Sequence, residues 1–281
     1  MTGLLLLDKP EGITSFTAVN RVRRALNCKK AGHTGTLDPL ATGVLPILLG
    51  GATRFAEFLP SNRKAYLAGF KLGVTTSTLD ITGEVLTQQP ADIPREQIEH
   101  ALAPFHGKIM QVPPMVSALR RDGVRLYELA RQGIEIEREP RPVEIFALEL
   151  VGEQLYVECS AGTYIRSLID DLGCVLGCGA CMTTLRRVAA NGFDITQCTP
   201  LEDIDHAEIL PMEDVLDNYP AVRITPAQAV RFRNGAALAL ARTTITNPID
   251  HEVYRVFDED IFLGLGRVQS DELAIARLLV L

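Results

Sequence analysis

Apolar positions along the chain keep two rhythms, and the switches between them mark its elements. Gly3–Leu7 is a short apolar run that reads as a buried strand, closed by the turn residues Asp8-Lys9-Pro10-Glu11-Gly12. Thr14 or Ser15 then offers a hydroxyl cap. Phe16, Val19, Val22 and Leu26 follow at helical spacing, which predicts a helix to about Leu26 with those four as its core stripe. Val44–Leu49 is apolar and short enough for a buried strand, and Thr53–Leu59 reads as a short helix with Phe55, Phe58 and Leu59 inward. From Ala65 to Gly73 the rhythm changes to two, with Tyr66, Ala68, Phe70 and Leu72 on one strand face.

Further on, Asp92 and Pro94 open a helix expected to reach Phe105, with Ile98, Ala101, Leu102 and Phe105 as its stripe, and Val112-Pro-Pro-Met115 breaks the pattern. Ser117–Glu144 is charged and mixed in sign, holding a short helix around Leu126–Ala130 that Gly133 stops. Leu155, Val157 and Cys159 alternate as a strand. Tyr164, Ile165, Leu168, Ile169, Leu172 and Val175 then recur at helical spacing up to Gly177. A linker from Leu210 to Pro220 precedes three strand-like runs, Val253–Phe257, Ile261–Val268 and Leu273–Val280, which suggest a small barrel over 219–281. There is no internal repeat.

Length and composition fit a large domain followed by a small one. The apolar run Leu4–Leu7 is too short for a signal-peptide core, and nothing approaches a membrane span, so a cytoplasmic protein with no membrane role is expected. Cys178 and Cys181 have redox-motif spacing, but they follow a helix end, where no dipole activates a thiol, and no second pair completes a zinc set. The cysteines therefore read as small core or surface residues. A net charge of −7 argues against a nucleic-acid partner when taken as a total. Its distribution says otherwise: Asn20–Lys30 carries Arg21, Arg23, Arg24, Lys29 and Lys30 and no acid. Arg21 and Arg24 are either a solvated face or a phosphate-binding patch, and their place just before the chain's densest turn motif favours the patch.

That motif is Gly32-His-Thr-Gly-Thr-Leu-Asp-Pro-Leu-Ala-Thr-Gly43. Glycine, proline and threonine at this density specify a tight loop, on which His33 and Asp38 are held beside a core strand. An Asp-Pro pair by itself is a common turn starter. The whole string, continued by x-Leu-Pro, resembles the central motif of the TruB family of pseudouridine synthases. Leu-Leu-Asp-Lys-Pro-x-Gly-x-Thr-Ser resembles the family's opening motif, which contains Lys9, and Thr-x-Thr-x-Asp-x-x-Gly recurs at 76–83 with Asp80. Ser77 stands where some relatives have an aspartate. Val-Pro-Pro-Met-x-Ser-Ala-Leu and Leu-Tyr-Glu-x-Ala-Arg match the family's flexible RNA-clasping thumb, here about 117–146. Gly-Thr-Tyr-Ile-Arg-Ser-Leu-Ile-Asp-Asp-Leu-Gly matches the segment carrying its active-site arginine.

The resemblance implies an α+β fold: a catalytic domain over 1–215 built on a mixed, largely antiparallel sheet with flanking helices, then a PUA-type RNA-binding barrel over 219–281. It also implies an enzyme that isomerises uridine 55 in the T-arm of tRNA without metal or cofactor, as a monomer with no obligate protein partner. Asp38 is then the nucleophile, attacking either C6 of the base or C1′ of the sugar. Arg166 pairs with it, Tyr66 stacks on the extruded base, and His33 fills the space the base leaves. Tyr164 and Leu185 match substrate-pocket positions, while Lys9, Asp80, Arg21 and Arg24 complete the expected set. The residues themselves support part of this. Arg166 lies in the first turn of its predicted helix, the wrong end of the dipole for a cation, and such local rule-breaking is expected at functional sites. Tyr66 on its own reads as a core or edge aromatic, and Asp80 as a structural acid rather than a catalytic one.

Two other function classes make different demands on the sequence. A glycoside hydrolase needs a second carboxylate partnering Asp38, for which Asp80 is the one candidate. A non-catalytic RNA-binding protein explains a thumb and a barrel but has no use for Asp38 and Arg166.

Overall fold

The computed structural model describes residues 1–117, 119–121 and 123–279. Ala118 of the thumb motif, Asp122, and Val280, where the last strand was expected to end, lie outside the described residues, as does Leu281. The chain divides into two compact units. One holds Met1–Asp38, Leu45–Ser61 and Thr196–Leu281; the other holds Pro39–Val44 and Asn62–Ile195. The division falls inside the central motif, between Asp38 and Pro39. No helix among the described residues is long and apolar enough to cross a membrane.

In the first unit, Gly3–Lys9 is a strand whose Leu4, Leu5 and Leu7 are fully buried, and it runs parallel to Thr199–Pro200. The helix Ser15–Ala25 starts where expected, with the Thr14 hydroxyl accepting from the Thr17 N–H. Its buried face differs from the prediction. Ser15, Ala18, Val19 and Val22 face the core, while Phe16 is 72% exposed. Small residues, not the aromatic, make the close-packed side. Ala31–His33 pairs antiparallel with Ile47–Leu49, so His33 ends a short strand where a loop was expected.

Gly50–Phe58 is a 3-10 helix that turns Phe55 inward at 0% exposure, against Phe262 of the C-terminal strands, with ring centroids 6.1 Å apart. Burying a phenyl ring is worth about 1.5–3 kcal/mol, so this contact anchors those strands. Glu57 and Arg277 reinforce it as an ion pair. The C-terminal sheet curls in the order Ala221–Ile224, Val253–Asp258, Ile261–Gln269, Glu272–Leu278, Leu238–Ala239, around a core that includes Phe232, Val256 and Leu273. Phe232 comes from a helix, Pro226–Arg233, absent from the sequence reading. The expected linker is also packed: Met212, Val215 and Leu216 are buried, and Leu210 bridges to Leu4.

The second unit is a large mixed sheet with helices on it. The start of the strand Thr42–Leu49 runs parallel to Ala180–Ala190; then Lys64–Leu72, Gln154–Cys159, Arg141–Val151 and Gly107–Gln111 follow, each antiparallel to its neighbour. Arg141–Val151 and Gly107–Gln111 were not expected; the first extends into the segment read as the thumb. The expected helix from Asp92 starts at Arg95 and ends at Ala101, with a 3-10 turn through Phe105; its four stripe residues are all buried. Ile165–Val175 is a helix as predicted, burying Ile165, Leu168, Ile169 and Leu172. Val175 is exposed at its end, and Tyr164 caps the start.

Candidate active site

Each unit carries part of the predicted set. In the first unit, Asp38 follows Leu37, which is 3% exposed and latched in place. The Ser15 hydroxyl donates to the Leu37 carbonyl at 3.0 Å and accepts from the Leu37 N–H at 2.8 Å. One buried side chain at the start of the basic helix thus satisfies both main-chain groups next to the aspartate. Lys9, at 0% exposure, donates its ammonium to the carbonyls of Pro10 (2.7 Å) and Ile13 (2.8 Å), which fixes the turn leading into that helix. Arg21 and Arg24 are exposed on the helix surface.

In the second unit, Arg166 is 4% exposed. Its guanidinium donates to the carbonyl of Thr78 at 2.9 Å and to that of Val116 at 2.8 Å, and lies 3.7 Å from Asp80 Oδ2. Asp80 is itself locked. Its Oδ1 accepts from the Thr78 hydroxyl (2.8 Å), the Thr82 N–H (3.0 Å) and the Thr82 hydroxyl (2.5 Å). Leu79, between these residues, has φ +62°, a conformation non-glycine residues seldom adopt. Hydrogen bonds to Met182 hold it there: Met182 N–H donates to Leu79 O, and Ile81 N–H to Met182 O. A tight turn thus presents a carbonyl and a carboxylate to a buried cation, which answers the unfavourable helix position read from the sequence.

The helix start is clamped by a residue the sequence reading missed. Gln111, 2% exposed, accepts from the Tyr164 N–H at 2.7 Å and donates to the Tyr164 carbonyl at 3.0 Å. Ser167 adds a bond to the Val112 carbonyl. Tyr66 is 6% exposed in its strand, cross-paired with Val157 and Arg187, and Leu185 is half-buried opposite Ala68.

Arg187 was missed as well, and it is 0% exposed. Its Nε donates to the Val44 carbonyl at 2.7 Å. Its backbone lies so close to Gly43, at φ +101°, that a Cβ there would sit 2.2 Å from the Arg187 carbonyl oxygen. The last glycine of the central motif is therefore required by packing. Burial pushes the Lys64 ammonium below its ordinary pKa, and the Arg187 charge adds to that. Burial also pushes the Cys159 thiol up to about 11, and raises Cys181. All six cysteines are free thiols, and no group of metal-ligating side chains occurs among the described residues.

A cavity of about 470 Å³ opens in the second unit between the Thr76–Leu79 turn, the Val112–Val116 segment and the acids Asp170 and Asp171. None of the predicted site residues lines it, so it is not where the chemistry is read. Burial, helped by Asp170, pushes Asp171 up to about 6.

Against known proteins, residues 23–165 match the model of the TruB family pseudouridylate synthase N-terminal domain, and 166–230 and 220–280 match two TruB C-terminal models. The chain is 44% identical to a tRNA pseudouridine synthase B of Stutzerimonas stutzeri, covering 96% of this chain and 93% of that protein. It is 45% identical to the Azoarcus protein of the same name, over 99% and 94%. Among solved structures it is similar to a Cbf5-Nop10-Gar1 complex, with TM-score 0.71 and 28% identity over 98% of this chain and 83% of that one.

Proposed function

Because the chain belongs to the TruB family of pseudouridylate synthases, we propose that it converts uridine 55 in the T-arm of tRNA to pseudouridine with Asp38 as nucleophile. The reaction breaks the N1–C1′ bond, turns the base and joins C5 to C1′, while the C5 proton is lost and N1 gains one. Nothing is oxidised and no group leaves. The work left to the protein is therefore to extrude the base, hold it, and supply a nucleophile and a fixed charge.

The observation that carries this reading is Arg166, a buried cation held by two main-chain carbonyls at the wrong end of its helix. Such a charge is costly to bury and has little use in a binding scaffold. We assign it the reaction's fixed positive charge. Asp80 positions it, and the Ser15–Leu37 latch positions Asp38. Tyr66 serves as the stacking face and its hydroxyl as a proton carrier, Tyr164 and Leu185 contact the base, and His33 fills the space the base leaves in the RNA. Lys9 orders the turn before the basic helix, and Arg21 and Arg24 take phosphates. The acting species is a cytoplasmic monomer whose partner is tRNA.

The test is to incubate the protein with unmodified tRNA and map pseudouridine by position. Wild type is expected to modify position 55, and Asp38→Asn to bind tRNA without product. Product elsewhere overturns the substrate assignment, and turnover by Asp38→Asn overturns the nucleophile. Tyr66→Phe separates its two roles: stacking survives in the variant, and a wild-type rate would remove the hydroxyl from the chemistry.

A further inference from the structure

The Ser15–Ala25 helix turns two adjacent residues in opposite directions. Ser15 points inward and latches the backbone beside Asp38; Phe16 points outward and is 72% exposed. An isolated exposed aromatic is ordinary on a protein surface. This one has particular neighbours. Residues 16, 20 and 23 lie one above another on a helix, so Phe16, Asn20 and Arg23 form one stripe, with Arg24 at its side. Arg21, Arg23, Arg24, Lys29 and Lys30 are all exposed, and none of them forms an ion pair among the described residues. The adjoining Leu201–His206 turn carries Glu202, Asp203 and Asp205, and these make no ion pair with the helix either. Five uncompensated cations gathered in a chain of net charge −7 are a surface for a polyanion.

The arrangement of the stripe says more than its charge. From Phe16 to Arg23 the rise is about 10 Å, a span that takes one nucleotide and the phosphate beyond it. An aromatic face, then an amide, then a guanidinium are what an unpaired nucleotide needs: a stacking platform, a base-edge partner and a phosphate partner. We propose that Phe16 is a nucleotide-stacking residue, receiving an unpaired base of the bound RNA next to the Asp38 loop while Arg23 and Arg24 hold its flanking phosphates. This rests on the tRNA reading above and extends it to a second base contact, distinct from the uridine that reacts.

Exposure makes the test clean, since removing the ring opens no cavity. Phe16→Ala, Phe16→Leu and Phe16→Tyr are made in the full chain. Affinity for unmodified tRNA, melting temperature and the site of pseudouridine formation are measured for each. Stacking on an aromatic is strong enough that Phe16→Ala and Phe16→Leu are expected to bind tRNA about 5- to 100-fold more weakly, with Phe16→Tyr near wild type. Melting temperatures stay unchanged. Arg23→Gln is expected to lower the salt slope of binding by about one unit. Wild-type affinity in Phe16→Ala overturns the proposal, and so does a loss of affinity that tracks a lowered melting temperature or that Phe16→Leu does not share. Failure of the tRNA reading looks different: wild type then forms no pseudouridine in tRNA, whatever the Phe16 series does.

Discussion

The regions around Asp38 and Arg166 solve the same problem in different ways. Asp38 sits on a short side chain, and the structure fixes its neighbour: Ser15 holds the N–H and the carbonyl of Leu37. Arg166 has a long side chain, and the structure fixes its far end through Thr78, Val116 and Asp80. A long cationic side chain carries about 2 kcal/mol of rotamer entropy, so it is aimed only if its tip has fixed partners. A short one follows its backbone. The lesson is that a carboxylate is positioned through the main chain and a guanidinium through its own acceptors.

That contrast is broken most severely at Asp80. Asp80→Ala removes the acceptor of three hydrogen bonds and the carboxylate beside a buried cation. It is expected to cost about 3–5 kcal/mol of stability, read by denaturant unfolding. Single-turnover rate should fall well beyond any loss of tRNA affinity, and Asp80→Asn, which keeps an acceptor, should lose less stability. An Asp80→Ala protein with wild-type rate would mean that Arg166 needs no aiming.

Ser15→Ala tests the other half. Leu37 is left with two buried main-chain groups unpaired, at about 1–3 kcal/mol each. The rate should drop with affinity little changed. A stability loss with no change in rate would show that the loop keeps its shape without the latch.

A smaller effect lies away from both regions, at Asp171. Burial, with Asp170 contributing, raises its folded pKa from 3.8 to about 6. Between those values the native state binds more protons than the unfolded one, so this residue makes stability fall as pH rises through about 4 to 6. Asp171→Asn should therefore raise the melting temperature at neutral pH and flatten its slope over that interval. An unchanged slope would mean the carboxylate is solvated.

The smallest effect concerns thiol chemistry. Cys159 is fully buried with its pKa pushed up to about 11, whereas Cys174 is exposed. Under native conditions near neutral pH, alkylation should label Cys174 and spare Cys159, as peptide mapping would show.

Much of the fold was legible where periodicity and punctuation agree. The helix at Ser15 has both a hydroxyl cap and an apolar stripe, and the helix at Ile165 has a stripe ended by Gly177. Legibility failed where packing overrode spacing. Phe16 has the right interval for the core stripe, yet Ser15 and Ala18 are small enough to approach the sheet and take that face. Arg141–Val151 escaped because a bulge between Ile145 and Ala147 shifts the alternation in mid-strand, placing Ile145 and Leu148 both in the core. The helix at Pro226 did have a visible signature, the Thr225-Pro-Ala-Gln228 capping box.

The candidate residues were legible in the sequence, and their supports were not. Asp38 and Arg166 stand in recognisable strings, and Tyr66 on one face of an alternating strand. Gln111 and Arg187 are of residue types that read as surface, and only the fold shows them buried at 2% and 0%. Their partners are main-chain atoms of Tyr164 and Val44, far away in sequence and invisible to any local pattern.

The Ser15–Leu37 pair also gives this molecule a clock. Because one hydroxyl serves both the N–H and the carbonyl of a single residue, moving the Ser15 side chain away breaks both bonds at once. The Leu37 amide proton should then exchange with solvent deuterium in one kinetic class. Its protection measures the free energy of that one opening, against the global unfolding limit set by core strands such as Gly3–Lys9. If RNA binding tightens the latch, the Leu37 amide slows while distant strands keep their rates. A single proton would thus report how often the loop carrying Asp38 lets go.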